Sequence, residues 1–113
     1  MHIFISYPHP DRAALHRLVD WLKAHDIAVS EIWYDDHIEA GDTWREEIDE
    51  ALDAAYAVLV VVTRHTLRSS YCMYEVGYAF GQGIPIFPLI FETIAITEIP
   101  APLAAKQFMD CTQ

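Results

Sequence analysis

The stretch Tyr56-Ala57-Val58-Leu59-Val60-Val61-Val62-Thr63 decides how the rest of the chain is read. It is β-branched and apolar without alternation, so both of its faces must be covered, and it belongs at the centre of a parallel sheet. The segment that follows, Ser69-Ser70-Tyr71-Cys72-Met73-Tyr74-Glu75-Val76-Gly77-Tyr78-Ala79-Phe80-Gly81-Gln82-Gly83, has helical character. Ser69 or Ser70 caps its start, and Gly83 before Ile84-Pro85 stops it. Cys72, Val76, Ala79 and Phe80 fall on the stripe a helix turns toward a core, with Tyr71, Glu75, Tyr78 and Gln82 on a neighbouring stripe. Glu75 is therefore a lone acid between aromatic rings, near a helix N-terminus that favours a carboxylate. Such a group is either an ordinary helix acid reaching water or a functional one.

Toward the N-terminus, His2-Ile3-Phe4-Ile5-Ser6 reads as a second buried strand, ending at Ser6-Tyr7. Tyr7-Pro8-His9-Pro10 cannot be helical, because each proline biases its predecessor away from that region. Asp11 then caps a helix with Leu15, Leu18, Val19 and Leu22 inward, closing near His25-Asp26. Ile32-Trp33-Tyr34 is a short strand, and Asp35 to Asp42 an acidic loop with a turn glycine at Gly41. Thr43 and Glu46 fit a capping box for a helix with Trp44, Ile48, Leu52 and Ala55 inward and a solvated acidic outer face. Toward the C-terminus, Ile84 to Phe91 is a strand in which Pro88 removes a ladder donor, so a bulge or a missing partner is expected there. Ile94 to Ala105 is irregular or a short helix, and Lys106 to Asp110 an edge strand.

Strand and helix alternate throughout, which implies an α/β fold, a parallel sheet with helices on both faces. Ligands in such sheets collect outside the carboxyl ends of the strands, where Ser6-Tyr7, the acidic loop and the segment Thr63 to Ser70 emerge. A length of 113 residues suits a single domain over residues 1–113, and the 53% hydrophobic share a sizeable core. No apolar run is long enough to span a membrane, and no signal peptide is expected, because the N-terminus enters a strand directly. The net charge of −10 argues against direct nucleic-acid binding. Two sparse cysteines, Cys72 and Cys111, read as reduced thiols of a cytoplasmic protein.

These residues, in order, resemble a Toll/interleukin-1 receptor (TIR) domain of the bacterial type. Ile3 to Tyr7 with Asp11-Arg12 is similar to the family's opening box, and Trp33 to Asp36 with Ile38 to Trp44 to its second box and mobile loop. Tyr56 to Thr63, Ser69 to Cys72 with Glu75, and Ile84 to Pro88 resemble its central strand, following helix and fourth strand. The resemblance covers nearly the whole chain and implies a flavodoxin-like, five-stranded sheet. It also implies one of two activities, cleavage of NAD at the nicotinamide–ribose bond or scaffolding by self-association, in a module of bacterial antiviral defence that is part of a larger protein.

In enzymatic members of that family the catalytic group is a glutamate four residues after an aromatic, usually tryptophan; here the pair is Glu75 and Tyr71. The resemblance makes Ser6, Tyr7, Trp44, Ser69 and Tyr71 substrate-binding candidates. Phosphate contacts would fall to His9, Arg12 or backbone N–H groups, since Pro8-His9-Pro10 stands where some relatives carry arginine. Asp35, Asp36, Ile38, Gly41 and Asp42 would form the self-association loop that completes a neighbouring copy's site.

One carboxylate suffices for such chemistry. Ordinary glycoside cleavage needs a second carboxyl to protonate the leaving oxygen, whereas nicotinamide departs from a ring already positive. Glu75 would bind the ribose hydroxyls and stabilise the oxocarbenium as charge develops. This requires the carboxylate to border an open crevice, with NAD as substrate and no cofactor. For Trp44 the reading as a core residue opening its helix is favoured over a place covering nicotinamide. Cys72 with His65 as a nucleophile and base is disfavoured against a buried structural thiol. A magnesium site at Asp35, Asp36 and His37 is disfavoured because the first strand ends in Ser6-Tyr7 instead of an acid, and no metal is expected. A nucleoside-processing transferase on a similar sheet is a third reading.

Overall fold

The computed structural model describes residues 2–34, 44–99, 103 and 109–111. Strands β1 (His2–Ser6), β2 (Ile32–Trp33), β3 (Ala55–Val62), β4 (Ile86–Ile90) and β5 (Met109–Asp110) form one five-stranded sheet in the order β2-β1-β3-β4-β5. All adjacent pairs are parallel. The apolar β3 is central, with Phe4 opposite Val58 on one side and Pro88 opposite Val60 on the other. The described α-helices are α1 (Arg12–Ala24), α2 (Trp44–Asp53), α3 (Arg64–Arg68) and α4 (Ser70–Gly81).

The two-residue period of the strands divides the core in two. Phe4, Val58, Val60 and Val62 face one way and meet Ile48 and Leu52 of α2 with Val76 and Ala79 of α4. Ile3, Ile5, Val61 and Leu89 face the other way and meet Leu15, Leu18, Val19 and Leu22 of α1. Each fully buried side chain of this kind contributes roughly 1.5–3 kcal/mol. On the α1 side the helical residues of the cluster all come from α1. Beside it a groove of about 800 Å³ runs over β3 and β4, with Trp21 and Phe87 about half exposed at its rim.

Several expectations are refined. Pro88 produces no bulge, since its register with β3 is unbroken. Backbone bonds from Val58 N–H to Pro85 O and from Phe91 N–H to Val62 O turn the odd residues of β4 toward β3. The missing donor of Pro88 therefore points to the β5 side, and pairing with β5 begins only at Leu89. Ala55 is buried, but as the first residue of β3 and not as part of α2, whose inward face includes Ala51 instead. His9–Asp11 forms a 3-10 turn where no helix was expected, with Pro10 at a position needing no N–H. The segment after β3, read as a connection, contains α3, started by a reciprocal capping box between Thr63 and Thr66. Thr43 and the loop residues Asp35 to Asp42 lie outside the described residues, as do 104–108.

The orientation of α4 differs in one consequential way. Its buried residues are Cys72, Glu75, Val76 and Ala79, while Phe80, expected inward, is 52% exposed. The helix is turned so that Glu75 takes the inward place assigned to Phe80. Glu75 also lies beyond the first turn, where attraction to the helix dipole has fallen off.

Candidate functional site

Alternation along β1 sends Ile3, Ile5 and Tyr7 toward α1 and sends Phe4 and Ser6 toward α4. Ser6 consequently meets the helix that carries Glu75, and its hydroxyl donates to Glu75 Oε1 at 2.6 Å. Ser6 is fully buried and Glu75 is 1% exposed. A carboxylate this far from solvent needs bonded partners to remain charged, and among the described residues no buried side-chain nitrogen or oxygen lacks one.

A cleft of about 360 Å³ opens at the carboxyl ends of β1 and β3, at the small end of ligand-site volumes. Tyr7, Pro8, His9 and Pro10 line one side; His65, Arg68, Ser69 and Tyr71 line the other. Four predicted binding residues, Tyr7, His9, Ser69 and Tyr71, are thus brought together. The Tyr7 ring stacks on His9 at a centroid distance of 6.3 Å and meets the edge of Tyr34. Ser69 serves as the α4 cap, accepting the Cys72 N–H at 3.1 Å. Arg12, the first residue of α1, is exposed and does not line the cleft. The Trp44 side chain and Asp35, Asp36, Ile38, Gly41 and Asp42 lie outside the described residues.

Glu75 does not border the cleft directly, in contrast to the open carboxylate expected from its stripe. It sits one helical turn behind Tyr71 and is joined to the residue before Tyr7. Cys72 beside it has its thiol pushed up to about 11, first by burial, against the lowering bond from Ser69, with the Glu75 charge adding to the rise. Such a thiol is not a nucleophile near neutral pH, in line with its structural reading. Neither cysteine forms a disulfide. On the outer side of α4, Tyr74 donates to Asp49 at 2.6 Å and Tyr78 to Asp53 at 2.7 Å, tying α4 to α2. The Asp53 bond is the main reason the Tyr78 phenol is pushed up to about 12.

A cluster that sequence reading missed lies across the cleft rim. Asp11, expected to cap α1, makes no capping bond. Its carboxylate instead accepts from the Thr63 hydroxyl at one oxygen and faces His65 Nδ1 at 3.1 Å with the other. The available signal was the Thr63-Arg64-His65-Thr66 helix start, which sets His65 and Arg68 three residues apart on one face. Thr66 completes it, donating to Val61 O at 2.6 Å and accepting the Thr63 N–H at 2.9 Å.

With this geometry in hand, comparison with known proteins places the chain. A family model described as "TIR domain" matches residues 3–113. No curated protein matches. Among solved structures, the TIR domain of the Toll-related receptor TRR-2 from Hydra magnipapillata superposes with a TM-score of 0.77 at 19% identity, covering 96% of this chain and 82% of that one. The TIR domains of the activated Roq1 resistosome, which recognises the pathogen effector XopQ, superpose at 0.67 with 16% identity, covering 85% of this chain and 60% of that one. A 2-desoxiribosyltransferase from Leishmania mexicana shares the fold at 0.63 and 21% identity, covering 90% and 75%. Likenesses at these identities speak for the fold, and the match over residues 3–113 speaks for the family: the chain belongs to the TIR domain family.

Proposed function

We propose that this TIR domain is an NAD glycohydrolase held latent in the single chain, working in the cytoplasm as a module of bacterial antiviral defence. The observation that carries the reading is the cleft at the carboxyl end of the parallel sheet, lined by Tyr7, His9, Ser69 and Tyr71, with Glu75 one helical turn behind Tyr71. Burying an acid is unfavourable unless bonded groups compensate, and the compensating donor, Ser6, comes from the strand end beside the cleft. Self-association through the segment 35–42 would shift α4 or the β1 end enough to bring Glu75 to the ribose. The carboxylate would then hold the ribose hydroxyls and stabilise the oxocarbenium while nicotinamide leaves with the bonding electrons. Water adds to give ADP-ribose and a proton, or an internal nucleophile closes a cyclic product.

A second reading, a non-catalytic module that works by homotypic binding, is favoured by the burial of Glu75 at 1% exposure. In that case the Ser6–Glu75 bond is a structural tie between β1 and α4. One experiment separates the two. The chain, concentrated or fused to an oligomerising scaffold, is incubated with NAD and nicotinamide release is followed, with Glu75→Gln in parallel. Glutamine keeps an oxygen to accept from Ser6, so the fold survives. Release by the native chain that is lost in the variant supports catalysis. Release that persists in the variant removes Glu75 from the mechanism, and no release in any assembled state leaves the scaffold. Deoxynucleosides offered in place of NAD test the transferase reading.

A further inference from the structure

The cleft rim gathers basic side chains, one arginine and two histidines, in an acidic protein. The chain carries seven Lys and Arg against 17 acids. Even so, His9, His65 and Arg68 all line one cleft of about 360 Å³. Their neighbour Arg64 is engaged, with its guanidinium 3.5 Å from Glu98 and its backbone N–H donating to Glu92. Arg68 has no such partner among the described residues. It lines the cleft with no bonded partner among the described residues.

His65 is held in a defined orientation. A carboxylate can only accept, so the bond of 3.1 Å to Asp11 Oδ1 fixes a proton on His65 Nδ1. The second Asp11 oxygen accepts from the Thr63 hydroxyl, which anchors the carboxylate to the end of β3. Asp11 is only 15% exposed by side chain and His65 55%, so the acid lies inside and the ring stands at the surface. No described residue bonds Nε2. A ring that carries a proton on each nitrogen offers Nε2–H as a second donor on the same cleft wall as the Arg68 guanidinium. A guanidinium and an oriented histidine ring on one wall, facing His9 on the other, match a group that offers several anionic oxygens in different directions. A phosphate or diphosphate has that form. Tyr71 supplies a partly exposed ring on the same cleft, and the buried Tyr7 backs it.

We propose that His65 and Arg68 form a clamp for the phosphates of a nucleoside diphosphate, and that Asp11 is the positioning residue that sets His65 for it. The clamp deepens the reading of this cleft as a nucleotide site and rests on it, but it concerns binding and needs no catalysis.

The test is titration of the full chain with ADP and with adenosine by calorimetry. ADP should bind at least tenfold more tightly than adenosine. Arg68→Ala should abolish that preference while leaving adenosine binding unchanged, and Arg68→Lys should restore part of it. Arg68 is on the surface, so folding is not at issue. Asp11→Ala should weaken ADP severalfold, and nitrogen NMR of the His65 ring should show loss of the bond that fixes the proton on Nδ1. Equal affinity for ADP and adenosine, failure of both to bind, or undiminished ADP binding by Arg68→Ala would overturn the clamp. The outcomes separate from those of the catalytic reading. ADP preference without nicotinamide release upholds the clamp and removes the glycohydrolase. NAD cleavage with an unchanged KM in Arg68→Ala removes the clamp and upholds catalysis.

Discussion

The Ser6 hydroxyl and Glu75 Oε1 lie 2.6 Å apart across 69 positions of sequence. That bond joins the end of β1 to the second turn of α4, inside the protein. A hydrogen bond to a buried charged group is worth more than an average one, because its loss leaves the charge less solvated than water would.

Replacing Ser6 with alanine removes this donor while leaving the strand intact. We expect Ser6→Ala to destabilise the fold by about 2 kcal/mol in urea unfolding. Ser6→Thr should retain most of the stability, since its hydroxyl can donate in the same direction. A loss below about 0.5 kcal/mol for the alanine variant would mean that the carboxylate does not depend on Ser6.

The orientation of α4 is tested by two substitutions one turn apart. Val76 is 2% exposed in the core between α4 and the sheet, and Phe80 is 52% exposed. Val76→Ala should lower stability by about 2 kcal/mol through lost burial and a cavity. Phe80→Ala, though it removes far more atoms, should change it by no more than about 0.5–1 kcal/mol. A reversed order would mean that the helix lies with Phe80 inward.

Thr66 is a buried hydroxyl with two bonds, to Val61 O and from the Thr63 N–H. Thr66→Val preserves shape but leaves a backbone carbonyl and a backbone N–H in the interior without that partner. Stability should fall by roughly 1–3 kcal/mol. Local amide exchange in α3 should accelerate by the same free energy, so protection unchanged at residues 64–68 would contradict the assignment.

Cys72 carries a pH signature. Its thiol is pushed from an ordinary 9.0 to about 11 in the native fold, first by burial. Between those values the unfolded chain has released the proton and the native chain has not. Stability that is fully present below pH 9.0 is therefore lost as pH rises toward about 11. The loss should total roughly 2–3 kcal/mol. Urea unfolding of the native chain and of Cys72→Ala, followed from pH 8 upward, isolates this slope from other groups titrating in the range. Parallel profiles would show that Cys72 makes no such contribution. Alkylation of Cys72 by iodoacetamide at pH 8 should likewise wait for unfolding.

The fold was legible in the sequence because it rests on local pattern. An apolar run such as Tyr56 to Thr63 can be buried on both faces in few ways, and the inward stripe of α1, Leu15, Leu18, Val19 and Leu22, follows from the helical period alone. The central place of β3 and the parallel pairing followed from such signals, which also narrowed the α4 cap to Ser69 or Ser70, of which the fold uses Ser69. Of the cleft walls, Tyr7 and Ser69 were legible from strand ends that converge on one edge, while His9 and Tyr71 came from the family resemblance.

Tertiary contact decided the rest. Periodicity states which residues share a face but not the rotation of the helix to within one residue, so Phe80 and Glu75 exchanged places only when α4 met the Ser6 end of β1. Asp11 stands where a cap is expected, yet its carboxylate turns to Thr63 and His65, residues more than 50 positions away whose approach no local pattern encodes. Residue type and spacing determined the sheet and its edge of convergence. Which side chain faces the interior and which acid holds which base was set by the few tenths of an ångström that decide a hydrogen bond between distant segments.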